Sequence, residues 1–422
     1  MIKRLLSDSF VKNNIFYLTG SILIGAFNYL FYPVLGRLLT STEFGEVQTL
    51  VTILSLATLF ITIFGSATIN IVANSTDDSE RNSIISQFRK LITGIALILA
   101  ISLAILSPWL KNFFHFTSIY TFILLAALIP LNIPNILRTS FLQGKKQFYT
   151  TSINGVTLAL GKLLASAAFV LIGLRVGGVL LGILFAQVVS LIYLYKKTNH
   201  DLILSSFKTT KLTKRLLTET AYGTLILAVA FVTTFFTTAD VLFAKRFFSP
   251  EEAGLYSGIA TVARIIFFIS SPVVSVLFAS VMIDNKAENS KLFKKAFIIM
   301  SILGLIPLII FSLWPEMMIK ILMGQKYIYK SHLLPYMGLA LFLASINNAL
   351  FMYYLALRKK FIAIIAVAGV GLTLIMSFLL PKSFENIILS FTAGSIFILL
   401  IFLSKAVTMR YNISKLWKNS SL

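Results

Sequence analysis

Arg37-Leu38-Leu39-Thr40-Ser41-Thr42-Glu43-Phe44-Gly45 recurs without a gap as Arg246-Phe247-Phe248-Ser249-Pro250-Glu251-Glu252-Ala253-Gly254, at an offset of 209 in a chain of 422 residues. Both copies share an arginine, two apolar residues, a serine or threonine, a glutamate six positions after the arginine and a glycine two after that. Two further matches keep the same order. Ile105-Leu106-Ser107-Pro108-Trp109 pairs with Ile310-Phe311-Ser312-Leu313-Trp314 at an offset of 205, and residues 142–148 pair with 355–361 at 213. Three collinear matches with offsets this close describe an internal duplication of about half the chain.

What is duplicated follows from composition. Hydrophobic residues make up 57% of the chain and charged ones 12%, with a mean hydropathy of +0.89, against roughly half and about a quarter in soluble proteins. That mixture cannot cover a water-soluble surface, so the chain reads as an all-α polytopic membrane protein. A crossing needs about 20 mostly apolar residues. Nine stretches of that length lack Asp, Glu, Lys and Arg, and three more, residues 147–174, 220–244 and 253–283, carry one charge each: Lys162, Asp240 and Arg264. The expectation is twelve transmembrane helices in two six-helix lobes. Six crossings per repeat send both lobes into the membrane in the same direction, related by an axis along its normal.

Lysine and arginine set the orientation. With the N-terminus in the cytoplasm, 26 of the 37 basic residues fall on the cytoplasmic side and nine on the other, the remaining two being Lys162 and Arg264. Both termini are therefore expected in the cytoplasm, with an N-terminal lobe at 1–195, a basic cytoplasmic linker at 196–219 and a C-terminal lobe at 220–422. In the linker, Lys208, Lys211, Lys214 and Arg215 interleave with Leu212, Leu216 and Leu217 at helical spacing, which suits an interfacial helix; residues 2–11 and 409–417 suit one as well. The net charge of +22 is scattered over short loops rather than gathered on one face, so anionic inner-leaflet lipids rather than nucleic acid are its expected partner. The first apolar stretch is too long for a signal-peptide core and is expected to remain as a span.

The residues running from Asn14 through Leu35 into Gly36-Arg37 and on to Glu43-Phe44-Gly45, the Leu142-Gln143-Gly144 step and Glu252-Ala253-Gly254-Leu255-Tyr256 together resemble the Wzx-type polysaccharide flippases of the multidrug/oligosaccharidyl-lipid/polysaccharide exporter superfamily. The resemblance covers nearly the whole chain and implies a MATE-like fold. It also implies a bacterial inner-membrane transporter that turns undecaprenyl-pyrophosphate-linked oligosaccharide to the outer leaflet for O-antigen or capsule assembly, alongside a polysaccharide polymerase and chain-length machinery, by alternating access of a cationic central cleft.

Position, rather than the resemblance, singles out the site residues. An ionisable side chain deep in a span costs roughly 2.5 to 3.5 kcal/mol on insertion scales and must face water or a partner. Lys162 lies on a line with Asn154 and Ser166, and Arg264 on a stripe with Ser257, Thr261, Ser271 and Ser275. Lys162 and Arg264 are the candidate pyrophosphate-binding cations, with Asn28, Asn154, Ser257 and Thr261 as polar residues lining the cleft; a structural ion pair is the alternative for either cation. Asp240 is a candidate ion site or the acid of such a pair. Arg37 and Arg246 are read as bracing their turns through the glutamates six positions on, Asn70, Asn132, Asn135, Asn347 and Asn348 as interhelical hydrogen-bonding residues, and Pro130, Pro134, Pro272 and Pro307 as kink sites.

Enzyme signatures are missing from the sequence. His115, His200 and His332 stand in three separate loops, and zero cysteines exclude disulfides, a thiolate metal site and a cysteine nucleophile. The run from Gly155 to Gly161-Lys162-Leu163 resembles a phosphate loop but has one residue too many and lacks the final hydroxyl. No cofactor or metal is expected. Two other functions remain open at this stage: a cation-coupled exporter of small molecules, and a membrane polymerase or ligase acting on the same lipid-linked sugars.

Overall fold

The protein is described here by a computed structural model that covers residues 9–75, 77–198, 214–281 and 286–419. The described residues form helices α1 (Ser9–Leu38), α2 (Ser41–Asn74), α3 (Asp78–Ile105), α4 (Ser107–Phe113), α5 (Tyr120–Gly144), α6 (Phe148–Phe169) and α7 (Arg175–Thr198), then α8 (Lys214–Thr238), α9 (Asp240–Phe247), α10 (Pro250–Ala263), α11 (Ile265–Ser280), α12 (Lys286–Leu313), α13 (Pro315–Leu322), α14 (Leu334–Ala356), α15 (Phe361–Leu379) and α16 (Phe384–Asn419), with no strand among them. Most of the linker expected at 196–219 and most of residues 2–11 lie outside the described residues.

Among the described residues, nine helical segments are long and apolar enough to cross a membrane, or eleven when each of two bent pairs counts as one span. The twelve expected from the sequence differ from this tally at Phe148–Thr198, a single helical run of 51 residues. That run is too long for one crossing. It joins α6 to α7 through a π turn at Val170–Leu174, where Gly173 takes φ 95° and Arg175 φ 46°, and α6 and α7 pack side by side. The lipid-facing surfaces are plain in the exposed Leu97, Ile98, Ile101 and Ile105 of α3 and Ile298, Ile302, Ile306 and Ile309 of α12. The protein is a multi-pass, all-helical membrane protein.

The chain forms two compact units. The first comprises residues up to Leu227 with Phe248–Gly258 and Leu322–Tyr327; the second comprises Ala228–Phe247, Ile259–Ile321 and Ile328 onward. In the first, α5 is the central helix, packed against α2, α3 and α7, while α6 packs on α1 and α7. Its apolar centre is Ile61, Phe88, Ile92, Ala96, Ile129, Ile133 and Leu137, from α2, α3 and α5. Small residues set the spacing: a Cβ on Gly182 would lie 2.4 Å from the Ser166 backbone, which brings α7 directly against α6. At one end of this unit Glu43 lies 3.4 Å from Arg175, and the Thr117 backbone N–H donates to Glu46 at 2.8 Å. These contacts gather three loops that the charge bias assigns to one side.

In the second unit α11, α12 and α14 pack together around Val274, Leu277, Ala296, Met300 and Ala349, and α16 packs on α14, α15 and α9. Phe235 stacks on Phe391 with centroids 5.3 Å apart.

The repeated turn proves to be a helix cap. The Glu43 N–H donates to Thr40 Oγ1 at 3.3 Å and the Thr40 N–H donates to Glu43 Oε2 at 2.9 Å, a reciprocal capping box that starts α2. Ser249 and Glu252 repeat it, with the Glu252 N–H donating to Ser249 Oγ at 3.3 Å and the Ser249 N–H donating to Glu252 Oε2 at 3.3 Å. Both carboxylates therefore serve the hydroxyl residue three positions back, rather than acting only as partners for Arg37 and Arg246. The closing glycine of each copy lies against the other copy: a Cβ on Gly45 would sit 2.9 Å from Gly254 Cα, and one on Gly254 would sit 1.9 Å from the Ser41 carbonyl oxygen. Tyr327 locks the same place, donating its hydroxyl to the Gly36 carbonyl at 3.1 Å, and Lys326 donates to the Leu39 carbonyl.

Candidate functional site

Lys162 stands about 10 Å along α6 from its C-terminal end, at 1.5 Å per residue. α6 approaches α1 through paired small residues: a Cβ on Gly20 would lie 2.6 Å from Ser152 Cβ, and one on Gly155 2.4 Å from Ile24 Cδ1. That close approach lets Lys162 reach across to α1, where its Nζ donates to Asn28 Oδ1 at 2.7 Å and lies 4.4 Å from the Phe31 ring centroid. An amide oxygen and a ring face stabilise an ammonium group without neutralising it. Among the described residues no carboxylate forms a salt bridge with Lys162.

Asn154 and Ser166, on the same helix, turn elsewhere. Asn154 is buried and takes a hydrogen bond from Ser190 of α7 at 2.8 Å, and Ser166 donates to the Val179 carbonyl at 3.0 Å. Asn154 belongs to a buried polar network in which the single Ser190 hydroxyl proton is shared between Asn154 Oδ1 and Asn135 Oδ1, the latter at 3.1 Å, Asn135 donates to the Gln187 carbonyl at 3.2 Å and Gln187 donates to Asn132 at 3.1 Å. This network fastens α5, α6 and α7 to one another.

Arg264 occupies a different setting. The helix pair α8–α9 bends by 48° and the pair α10–α11 by 40°, at Ala239 and Arg264 respectively, and neither break holds a proline. Arg264 joins the two: its Nε donates to the Thr237 carbonyl at 2.8 Å, and its Nη2 lies 3.2 Å from Asp240 Oδ1. Thr237 and Thr238 contribute to the first break by donating their hydroxyls to the carbonyls of Thr233 and Thr234 at 2.8 and 2.7 Å, a form of back-bonding that bends helices. The exposure of the Arg264 side chain is 7% and that of Asp240 15%. Ser257 and Thr261 are buried on α10.

Sequence reasoning did not find Phe31, Asn28 as the partner of Lys162, or the two helix breaks that Arg264 joins, although it did offer the pairing of Arg264 with Asp240. Asn28 lies 134 positions from Lys162, and no local pattern announces a contact over that distance. Asn347 donates to the Ser395 carbonyl at 2.8 Å and Asn348 accepts from Thr233 at 3.0 Å, whereas Asn70 accepts from Asn74 on its own helix at 2.6 Å. Among the described residues no group of three His, Cys, Asp or Glu side chains is placed to hold a metal ion.

Residues 10–278 match the family model described as polysaccharide biosynthesis protein. The chain belongs to that family. No curated protein sequence matches it. Among solved structures it is similar to a multidrug resistance MATE family transporter of the MOP superfamily in an inward-facing conformation, with a TM-score of 0.73 and 14% identity over 96% of this chain and 99% of that one. It is similar also to the lipid II flippase MurJ in an inward closed conformation, with a TM-score of 0.74 and 13% identity over 93% and 87%. A MATE structure in a bent conformation gives 0.60 and 15% over 97% of each chain. At these identities the likeness establishes the fold, which is MATE-like over the length of the chain.

Proposed function

We propose that this member of the polysaccharide biosynthesis family is a flippase that carries oligosaccharide built on undecaprenyl pyrophosphate across the bacterial inner membrane, for O-antigen or capsule assembly, by exposing its substrate alternately to either side. The observation that carries the reading is Lys162, a cation within a span that is solvated by Asn28 and Phe31 and has no acid beside it among the described residues. Such a group costs several kcal/mol to keep in a membrane, and an anionic head group is the ligand that offsets that cost.

The physics of the step favours the same substrate. A bare pyrophosphate in hydrocarbon faces an ionic desolvation penalty idealised at tens of kcal/mol, and a hydrated cationic site removes most of it. An inside-negative potential then drives each negative charge outward by about 2.3 kcal/mol per 100 mV. Arg264 is assigned a positioning role, because its guanidinium holds Asp240 and the Thr237 carbonyl. With Asp240 engaged in that pair, the acid that a cation-coupled exporter requires is already occupied, which weighs against the small-molecule reading. The membrane lobes proposed at 1–195 and 220–422, the linker at 196–219 in the cytoplasm, both termini on that side, and a polymerase with chain-length machinery as partners complete the proposal. On this view the protein transports and does not catalyse.

The test is surface-glycan export in cells lacking the chromosomal copy. Lys162→Ala is expected to reduce export about tenfold or more, the equivalent of about 1.4 kcal/mol, with protein retained in the membrane, and Lys162→Arg to keep a substantial part. Near-normal export by Lys162→Ala would overturn the assignment of the cation.

A further inference from the structure

α2 is turned inside out relative to its lipid-facing neighbours. It is among the longest apolar segments, with a mean hydropathy of 2.1. Yet the only residues it exposes are Thr62, Ser66, Asn70, Ala73 and Asn74, while Ile61, Gly65, Thr68 and Val72 are buried on the opposite side. α3 and α12 do the reverse, exposing leucine and isoleucine. A helix that offers hydroxyls and amides in place of leucine does not face lipid; it faces water or a polar ligand. Thr62, Ser66, Asn70 and Asn74 follow one another at four-residue spacing, so they make a continuous slanting row about 18 Å long at 1.5 Å per residue. That is more than half of the roughly 30 Å of hydrocarbon.

The row has a definite hydrogen-bonding character. Thr62 donates its hydroxyl to the Leu59 carbonyl at 2.6 Å and Ser66 donates to the Thr62 carbonyl at 3.1 Å. Above them, Ser55 and Thr58 donate to the carbonyls of Val51 and Leu54, each at 2.8 Å. A hydroxyl has one proton and two lone-pair sites. With each proton held by the helix, the exposed Thr62 and Ser66 oxygens face outward as acceptors. Asn74 directs its amide nitrogen at the Asn70 carbonyl and side-chain oxygen, at 2.9 and 2.6 Å. No Asp, Glu, Lys or Arg occurs between residues 47 and 76, so the row has no formal charge.

We propose that this face of α2 is the wall along which the glycan of the lipid-linked substrate passes, and that it is matched to uncharged sugars. The proposal rests on the flippase reading above. A neutral sugar presents many O–H donors to such acceptors, and its own ring oxygens ask little in return. A hexuronate carboxylate is acceptor-only and finds no free donor in the Thr62 and Ser66 hydroxyls, whose protons are held by the helix; only the asparagine amides of the row are donors. The row would therefore hold a neutral repeat unit by many exchangeable contacts, none strong enough to stop it, while the head group is held elsewhere.

The absence of native cysteine makes the experiment direct. Single cysteines replacing Thr62, Ser66 and Asn70 are expected to react with a membrane-impermeant methanethiosulfonate about tenfold faster than cysteines at Ile98 or Ile302, because thiolate formation needs water. Equal rates would place the row against lipid and overturn the proposal. In membranes loaded with a lipid-linked oligosaccharide of uncharged hexoses, labelling at Ser66→Cys is expected to slow; with a hexuronate-containing counterpart it is expected not to. No slowing by the first, or equal slowing by both, would overturn the match to neutral sugars. In cells, the combined Thr62→Leu, Ser66→Leu and Asn70→Leu variant should lose export at normal protein level, whereas Thr62→Ser, Ser66→Thr and Asn70→Gln together should keep it; normal export by the leucine variant overturns the proposal. Deletion of the gene separates the two levels: unimpaired export in the deletion strain refutes the flippase reading itself, whereas loss on deletion with normal export by the leucine variant refutes the sugar wall alone.

Discussion

Asp240→Asn should destabilise the second unit more than any loss of a surface charge, because of what it leaves behind. The Arg264 and Asp240 side chains are 7% and 15% exposed and their charged atoms lie 3.2 Å apart. At an effective dielectric of about 20 the Coulomb attraction at that distance is about 5 kcal/mol, and removing one member of a buried pair costs about 3 to 5 kcal/mol because the other charge stays buried. Arg264→Met should cost a similar amount, since it strands the Asp240 carboxylate and also leaves the Thr237 carbonyl without its donor, about 1 to 3 kcal/mol more. The double variant Asp240→Asn with Arg264→Met leaves no unpaired charge and should cost about 2 kcal/mol or more less than the sum of the two single changes. Reversible unfolding in mixed micelles with increasing denaturing detergent, followed by helical circular dichroism, gives the four free energies needed. Additivity within about 0.5 kcal/mol would refute the account of Arg264 as the joint of two broken helices.

Other outcomes follow from single contacts. Gly254→Ala should sharply lower thermal stability and membrane yield, because its Cβ would sit 1.9 Å from the Ser41 carbonyl oxygen, a backbone atom; Gly25→Ala, with nothing within 4 Å, should be tolerated. Thr40→Ala and Ser249→Ala should each cost about 0.5 to 2 kcal/mol in the same unfolding assay, and Thr40→Ser much less. In intact cells with a permeable outer envelope, a cysteine replacing Lys326 should label with an impermeant thiol reagent and one replacing Ser206 should not; the reverse pattern would invert the proposed topology.

Much of the architecture was legible because it depends on quantities summed over many residues. The apolar stretches and the duplication at Arg37 and Arg246 survive any local irregularity. The capping role of the repeated turn is also legible, since Thr40-x-x-Glu43 and Ser249-x-x-Glu252 carry the spacing of a capping box. Breaks were harder to see. Prolines 130, 134, 272 and 307 all lie within helices that continue through them, while the chain bends at Ala239 and Arg264; beside the first bend, threonine hydroxyls and the Arg264 guanidinium bond carbonyls of α8. Lys162 was found from its depth, but Asn28 as its acceptor required the packing of α6 on α1. The polar row on α2 was present as a four-residue spacing and was concealed by the high average hydropathy of the helix around it.

The meeting of Gly45 with Gly254 couples the two turns that share the repeated pattern. The contact is not reciprocal: a Cβ on Gly45 meets the Gly254 backbone, whereas one on Gly254 meets the Ser41 carbonyl. Gly45 and Gly254 mutate separately, yet a side chain at either position runs into the backbone of the other turn. Neither copy is free to drift alone at this point, even where Leu38 and Leu39 have diverged into Phe247 and Phe248 and Phe44 into Ala253.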